Sequence, residues 1–92
     1  MLKATMKLKN ETGLHARPAS MFVKEAMKYQ SEIIVVKDDK QYNGKSIMSI
    51  LSMGAGKDEK IAIITKGEDE KEAIESLKEI INSNFKERAE EE

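Results

Sequence analysis

Three residues of types that are rare in this chain lie within four positions of one another. They are His15, the only histidine, Arg17, one of two arginines, and Pro18, the only proline. Pro18 fits the first turn of a helix, where its missing N–H is not needed. The helix would then begin near Ala16 and place His15 at its N-terminus, where unpaired backbone N–H groups and the helix dipole favour anions. His15 and Arg17 are therefore candidates for residues that bind an anion or react with one.

An imidazole at such a helix end can act as a nucleophile toward a phosphoryl group. The Arg17 guanidinium adds a planar fork of N–H donors that matches phosphate oxygens. We interpret His15 as a site of reversible phosphorylation and Arg17 as the residue that stabilises the phosphoryl group. A lone histidine near a helix start is more commonly a surface or capping residue, and a lone arginine is usually solvated. The interpretation therefore depends on their joint pattern.

A second cluster covers residues 43–54 and has the sequence NGKSIMSILSMG. Its Gly-Lys-Ser run resembles part of a nucleotide-binding P-loop, but Asp39 occupies the position where that motif requires its first glycine. We reject the P-loop and interpret Ser46 as the N-cap of a short helix that continues to Ser52. A phosphate on Ser46 would be tolerated at this helix N-terminus, so Ser46 is also a candidate modification site.

The short helix is more apolar than its length can bury. Ile50 and Met53 have the spacing to face a core, whereas Ile47, Met48 and Leu51 add further apolar surface. Methionine is common on adaptable recognition surfaces. We interpret the latter three side chains as a docking surface, with burial of all five side chains in the core as the alternative.

Hydrophobic periodicity predicts four strands and three helices around these clusters. Alternation of apolar and polar residues indicates half-buried strands, and apolar residues at i, i+3 and i+4 indicate helices with one buried face. The order predicts an α+β domain in which helices cover one face of a mainly antiparallel sheet. The predicted elements are a strand over 2–9, a helix from near Ala16 to around Lys28, strands at Glu32–Lys37 and around Gln41–Asn43, the short helix, a strand at Lys60–Lys66, and a final helix opened by residues 67–69 with the stripe Ala73, Ile74, Leu77, Ile80 and Ile81.

The composition excludes several function classes. The chain has 92 residues, which predicts one domain, and 16 basic against 17 acidic side chains give a net charge of −1. That balance disfavours a dedicated nucleic-acid or membrane-surface binder. Because the chain has no cysteine and one histidine, we expect no metal site. We also expect no cofactor. The longest apolar runs have four residues and lysines interrupt the N-terminus, so we expect a cytoplasmic protein without a membrane span or signal peptide.

An RNA-binding sheet is an alternative, because RNA-recognition domains have a comparable order of strands and helices. Such sheets stack bases on exposed aromatic side chains. Only Phe22, Tyr29, Tyr42 and Phe85 are aromatic here, and Phe22 belongs to the apolar stripe of the first helix. We therefore disfavour RNA binding.

Both clusters resemble the two signatures of the histidine-containing phosphocarrier (HPr) family of the bacterial phosphoenolpyruvate-dependent sugar phosphotransferase system. Residues 13–19, GLHARPA, match the signature around the phosphorylated histidine, and residues 43–54 match the signature around the regulatory serine. The likeness covers residues 1–84. It implies an open-faced β-sandwich with four antiparallel strands in the order 1-4-2-3 and three helices on one face. Residues 85–92 extend past the usual end of the family, and we predict a charged tail there.

The resemblance implies a phosphocarrier rather than an enzyme. His15 would be phosphorylated on Nδ1 by enzyme I, which takes the group from phosphoenolpyruvate, and would pass it to IIA domains of sugar permeases. Arg17 would stabilise the phosphoryl group in the transfer complexes. We expect the carrier to act as a monomer that neither binds nucleic acid nor inserts into a membrane. The docking surface would comprise Ala16, Ser20, Ile47, Met48 and Leu51, with Met21 beside them.

Ser46 matches the serine that HPr kinase/phosphorylase modifies with ATP in many Gram-positive bacteria. The added negative charge would repel the acidic surface of enzyme I and could favour a transcriptional co-regulator in carbon catabolite regulation. A regulatory HPr paralogue that acts mainly as a protein-interaction module is therefore the alternative function. Such relatives typically replace the active histidine, so the presence of His15 favours the carrier.

Overall fold

The computed structural model describes residues 1–85, and these residues form the predicted series of elements. In chain order the elements are β1 (Leu2–Lys7), α1 (Ala16–Ala26), β2 (Glu32–Lys37), β3 (Lys40–Asn43), α2 (Ile47–Met53), β4 (Lys60–Lys66) and α3 (Glu70–Asn82). The sheet has the order β1-β4-β2-β3, and every neighbouring pair is antiparallel. This is the topology that the resemblance implied. No helix in the described part of the chain is long and apolar enough to cross a membrane.

Two elements end earlier than predicted. β1 ends at Lys7 rather than at residue 9 because the next residue, Leu8, bonds to a loop instead of a strand: its N–H donates to the Glu59 carbonyl at 2.9 Å and its carbonyl accepts from the Asp58 N–H at 2.6 Å. α1 ends at Ala26 rather than around Lys28. There the Lys28 N–H bonds three residues back, to Glu25, which tightens the last turn and closes the helix.

The core lies between one face of the sheet and the apolar stripes of the three helices. Alternate residues of β2 and β4 point into it, as the strand period of two requires. α2 contributes Ile50 and Met53, as predicted, while Ile47 and Met48 remain exposed. The buried apolar side chains of the other elements are Ile33 and Val35 from β2, Ile61 and Ile63 from β4, Ala19, Phe22, Val23 and Ala26 from α1, and Ala73, Ile74, Leu77, Ile80 and Ile81 from α3.

Phe85 belongs to the core although it is the first residue of the predicted tail. Its side chain is 7% exposed and packs with the buried cluster. Its N–H donates to the Ile80 carbonyl at 2.9 Å. The core therefore extends through Phe85, and the rest of the predicted tail, residues 86–92, lies outside the described residues.

α1 and α2 pack side by side in opposite directions. At one end of the pair, the Leu14 N–H, just before α1, donates to the Ala55 carbonyl, just after α2, at 2.9 Å. At the other end, Lys45 Nζ, just before α2, donates to the Tyr29 carbonyl, just after α1, at 2.6 Å. The N-terminus of each helix therefore lies beside the C-terminus of its neighbour.

Gly13 allows the loop before α1 to pack against the loop after α2. Its φ is +61°, and a Cβ at this position would lie 2.3 Å from the Ala55 carbonyl oxygen and 2.6 Å from the Gly56 Cα. Both neighbours are backbone atoms and cannot rotate away. Gly54, the C-cap of α2, also has a positive φ, of +67°, but nothing lies within 4 Å of a Cβ built there.

Asp69 fastens the start of α3 to the turn before β2. Its carboxylate accepts hydrogen bonds from the Ser31 N–H at 2.9 Å, the Ser31 hydroxyl at 2.5 Å and the Gln30 N–H at 2.9 Å. The Ser31 hydroxyl and these backbone donors stabilise the charged form and lower the pKa of Asp69 below its ordinary value of 3.8. Asp69 occupies the N-cap position of α3, but its side chain does not bond to that helix.

Gly13 and Gly54 both have a left-handed backbone, so alanine substitutions at the two positions can be compared directly. We expect Gly54→Ala to lower the free energy of unfolding by about 1 kcal/mol, the cost of a left-handed alanine. Gly13→Ala carries the same conformational cost plus the overlap with Ala55, so we expect a further loss of about 1–3 kcal/mol. Urea denaturation of both variants measures the difference. Equal losses would contradict the close packing at Gly13.

The lowered pKa of Asp69 predicts acid sensitivity. The unfolded chain binds this proton more readily than the folded chain, so the stabilisation is complete above the ordinary pKa and is lost as the pH falls through the folded pKa. We therefore expect Asp69→Asn to unfold more easily than the unmodified protein at pH 7 and to lose less stability between pH 7 and acid. Urea denaturation across this range is the measurement. Glu68→Gln, at an exposed neighbour, should leave the pH dependence unchanged, and parallel curves for all three proteins would contradict the role of Asp69.

Candidate functional site

His15 lies directly before α1, as predicted. Its backbone is extended, with φ −128° and ψ 160°, and its side chain makes no capping hydrogen bond to the helix. The residue is half-buried. No group among residues 1–85 forms a hydrogen bond or ion pair with the imidazole. The ring nitrogens are therefore available for chemistry at a helix N-terminus.

Ala16, the first residue of α1, has a left-handed backbone with φ +52°. This conformation costs a non-glycine residue about 1–2 kcal/mol, and such strain is concentrated at functional sites. Ala16 is also exposed. The sequence predicts the start of the helix but not the strain, because alanine has no preference for this backbone region.

Hydrogen bonds between Asn10 and Gly13 restrain the turn before His15. The Asn10 side-chain amide donates to the Gly13 carbonyl at 2.9 Å, and the Gly13 N–H donates to the Asn10 carbonyl at 3.2 Å. The next residue, Leu14, is fully buried. Sequence reasoning missed Asn10, although asparagine is a common turn residue that bonds to nearby backbone. The loop that presents His15 is therefore anchored by a buried side chain and by its own hydrogen bonds.

Arg17 and Pro18 occupy the first turn of α1, together with Ala16. Arg17 is exposed and lies two residues after His15. Pro18, as predicted, removes one N–H that would have lacked an acceptor within the helix. The structure thus brings His15 and Arg17 to the same end of one helix.

Ser46 is the N-cap of α2, as predicted. Its Oγ accepts a hydrogen bond from the Ser49 N–H at 3.2 Å, and the residue is half-buried. The Ser49 hydroxyl in turn accepts from the Asn43 N–H at 2.9 Å. Sequence reasoning missed Lys45, whose ammonium bonds to the Tyr29 carbonyl. Because α1 and α2 are antiparallel, Ser46 and His15 lie at opposite ends of the helix pair.

The residues predicted to form the docking surface lie on these two adjacent helices. Met48 is 74% exposed and Ile47 is 37% exposed, while Leu51 is half-buried. Ala16 and Ser20 are exposed on α1. We use the name docking surface for these five residues.

A metal site is not formed by the described residues. Within residues 1–85, no group of three or more histidine, cysteine, aspartate or glutamate side chains is placed to hold a metal ion. The site consists of one imidazole, one guanidinium and the backbone N–H groups of a helix end. These groups suit an anion.

Two sequence comparisons identify relatives of the chain. Residues 2–83 match the family model described as "PTS HPr component phosphorylation site". The HPr-like protein Crh of Halalkalibacterium halodurans is 47% identical over 77 residues, which cover 84% of this chain and 92% of Crh. The phosphocarrier protein HPr of Neisseria meningitidis serogroup A is 41% identical over 85 residues, which cover 92% of this chain and 96% of that protein.

Solved structures share the fold. HPr of Thermoanaerobacter tengcongensis superposes with a TM-score of 0.92 at 46% identity, covering 96% of this chain and 99% of that one. Crh of Bacillus subtilis, which crystallised as a domain-swapped dimer, superposes with a TM-score of 0.73 at 36% identity, covering 95% of this chain and 100% of that one. The chain belongs to the HPr family of the phosphotransferase system, a family of phosphocarrier proteins rather than enzymes.

Proposed function

We propose that this chain carries a phosphoryl group on His15, accepting it from enzyme I and passing it to IIA domains of sugar permeases. The observation that carries the proposal is the His15 imidazole, which stands at the N-terminus of α1 and is not bonded to any group among residues 1–85. A nitrogen in a permanent hydrogen bond would be a poor acceptor. The match to a family model named for its phosphorylation site supports the same residue.

The transfer needs little chemistry from the protein beyond positioning. The lone pair of His15 Nδ1 attacks phosphorus, an N–P bond forms, and the bond from phosphorus to the donor atom of enzyme I breaks. The phosphoryl oxygens keep their negative charge, which the first-turn N–H groups of α1 and the Arg17 guanidinium stabilise. Transfer to a IIA domain is the same step with His15 as the leaving group. Stabilisation by hydrogen bonds and charge suits a carrier that must also release the phosphoryl group.

The docking surface spans both helices, so a partner that covers it also reaches the His15 end of α1. Ile47 and Met48 present apolar side chains on α2, and Ala16 and Ser20 present small ones on α1. Small residues around His15 let a partner's phosphorylated side chain approach the imidazole closely. Apolar contact on α2 gives affinity without depending on the identity of one partner, which a carrier with several partners requires.

A regulatory role through Ser46 is the second candidate function. The likeness to Crh favours it, and so does the position of Ser46 as an N-cap next to the docking surface. A phosphate there would be stabilised by the N-terminus of α2. Its charge would weaken docking to an acidic surface such as that of enzyme I and could favour a transcriptional co-regulator. The presence of His15 favours the carrier as the main function.

We propose that the carrier acts as a monomer in the cytoplasm, where phosphoenolpyruvate is supplied. Every residue of the proposed site comes from one chain, so no second copy is needed to complete it. The alternative is a dimer, the state in which the Bacillus subtilis relative crystallised. Light scattering of the purified protein at working concentration separates the two.

Substitutions at His15 and Arg17 test the proposed phosphocarrier function. We expect His15→Ala to take up no label from phosphoenolpyruvate and enzyme I, and Arg17→Ala to take it up about 10- to 100-fold more slowly, the loss expected for a hydrogen bond to a charged group. The unmodified protein should form an acid-labile, base-stable phosphoryl adduct. Lys24→Ala removes an exposed cation from the last turn of α1 and should label at the normal rate. Labelling of His15→Ala would refute His15 as the acceptor.

Substitutions at Ser46 test regulation. Aspartate is a good N-cap, so Ser46→Asp should keep the fold while its charge raises the KM of enzyme I for the carrier. Ser46→Ala should cost about 1 kcal/mol of stability but leave transfer unchanged. HPr kinase and ATP should modify the unmodified protein and not Ser46→Ala. Absence of modification in both proteins would rule out the regulatory role.

A further inference from the structure

Methionine is the most readily oxidised type of side chain in this protein. The chain contains six methionines but neither cysteine nor tryptophan, so no thiol or indole competes for the oxidant. The apolar thioether of methionine is oxidised reversibly to a polar sulfoxide. The effect of oxidation therefore depends on where the exposed sulfur atoms lie.

The methionines differ widely in exposure. Met53 is 5% exposed in the core, whereas Met1, Met27 and Met48 are 76%, 65% and 74% exposed. The other two are half-buried. Met1 precedes β1 and Met27 is the C-cap of α1. Met48 is therefore the fully accessible methionine of the docking surface.

We propose that Met48 is a redox-sensitive modification site at which a peroxide forms the sulfoxide and thereby weakens docking of the phosphotransfer partners. This inference rests on the proposed function, because it concerns the surface through which the carrier acts. Oxidation of Met48 would be a third modification of the carrier, distinct from the proposed phosphorylation of His15 and of Ser46.

The modification step is a two-electron oxidation by a peroxide. A lone pair of the Met48 sulfur attacks one peroxide oxygen, the S–O bond forms and the O–O bond breaks. With hydrogen peroxide the departing oxygen leaves as water after a proton transfer, so sulfur loses two electrons and the peroxide gains them. A methionine sulfoxide reductase reverses the step with electrons from a dithiol.

The structure separates the effect on docking from any effect on folding. α2 is held in the core by Ile50 and Met53, on the side away from Met48. A sulfoxide at Met48 therefore leaves the core unchanged. At an apolar contact, however, its oxygen would lose water without gaining a donor, and desolvation of an unpaired polar group is costly. Ile47 and Leu51, one and three positions from Met48 on the same helix, add apolar side chains to the docking surface.

The experiment compares the reduced protein with protein treated with dilute hydrogen peroxide. Peptide mass spectrometry should show oxidation of Met48 well before that of Met53. With enzyme I and phosphoenolpyruvate, the oxidised carrier should have a KM raised roughly tenfold, with kcat little changed. Treatment with methionine sulfoxide reductase should restore the original KM, and circular dichroism should show an unchanged fold.

Two leucine variants locate the effect. Leucine keeps an apolar side chain of similar size but has no sulfur. The KM of Met48→Leu should be the same before and after peroxide treatment, while Met27→Leu should keep the KM of the reduced protein and remain sensitive to peroxide. Equal sensitivity of Met48→Leu, or an unchanged KM in protein oxidised at Met48, would overturn the proposal.

The reduced protein reports separately on the proposed function. Normal labelling of the reduced carrier with no effect of oxidation would refute only the role of Met48. A reduced carrier that enzyme I does not phosphorylate would refute the proposed function. It would also refute the docking consequence of oxidation, because no transfer partner would then contact Met48.

Discussion

The position of His15 depends on one close backbone contact, between the loop before α1 and the loop after α2. Gly13 lies against Ala55 and Gly56 at distances that no side chain would permit. The hydrogen bond from the Leu14 N–H to the Ala55 carbonyl fixes the register of the two loops, and the Leu14 side chain fills the core beneath them. α1 begins two residues later. The direction of the helix end and the position of His15 both follow from this contact.

The site combines a rigid loop with the His15 imidazole, which does not bond to that loop. Buried Leu14 and the Asn10–Gly13 hydrogen bonds restrain the loop, while the imidazole of His15 makes no bond within residues 1–85. Ala16, in a strained conformation, lies at the boundary between them. This division supports the proposed role of His15, because an acceptor atom in such a site would be held in place without a permanent bonding partner.

The sequence predicts most of the fold and less of the site. The bounds of β2 and β4 agree with the prediction because their β-branched runs end at charged residues, and the cap at Ser46 is confirmed because serine before an apolar helix has one common structural role. The end of β1 was beyond prediction, since it depends on a loop distant in sequence. The left-handed Ala16 and the bond from Lys45 to Tyr29 also depend on tertiary packing, and no local pattern encodes them.

The antiparallel arrangement of α1 and α2 places His15 and Ser46 about one helix length apart, roughly 16 Å for the 11 residues of α1. That separation exceeds the screening length of about 8 Å in physiological salt. Phosphates on His15 and on Ser46, as proposed above, would therefore have little direct electrostatic influence on each other. Any coupling between the two proposed modifications would then arise in complexes whose partner contacts both helices.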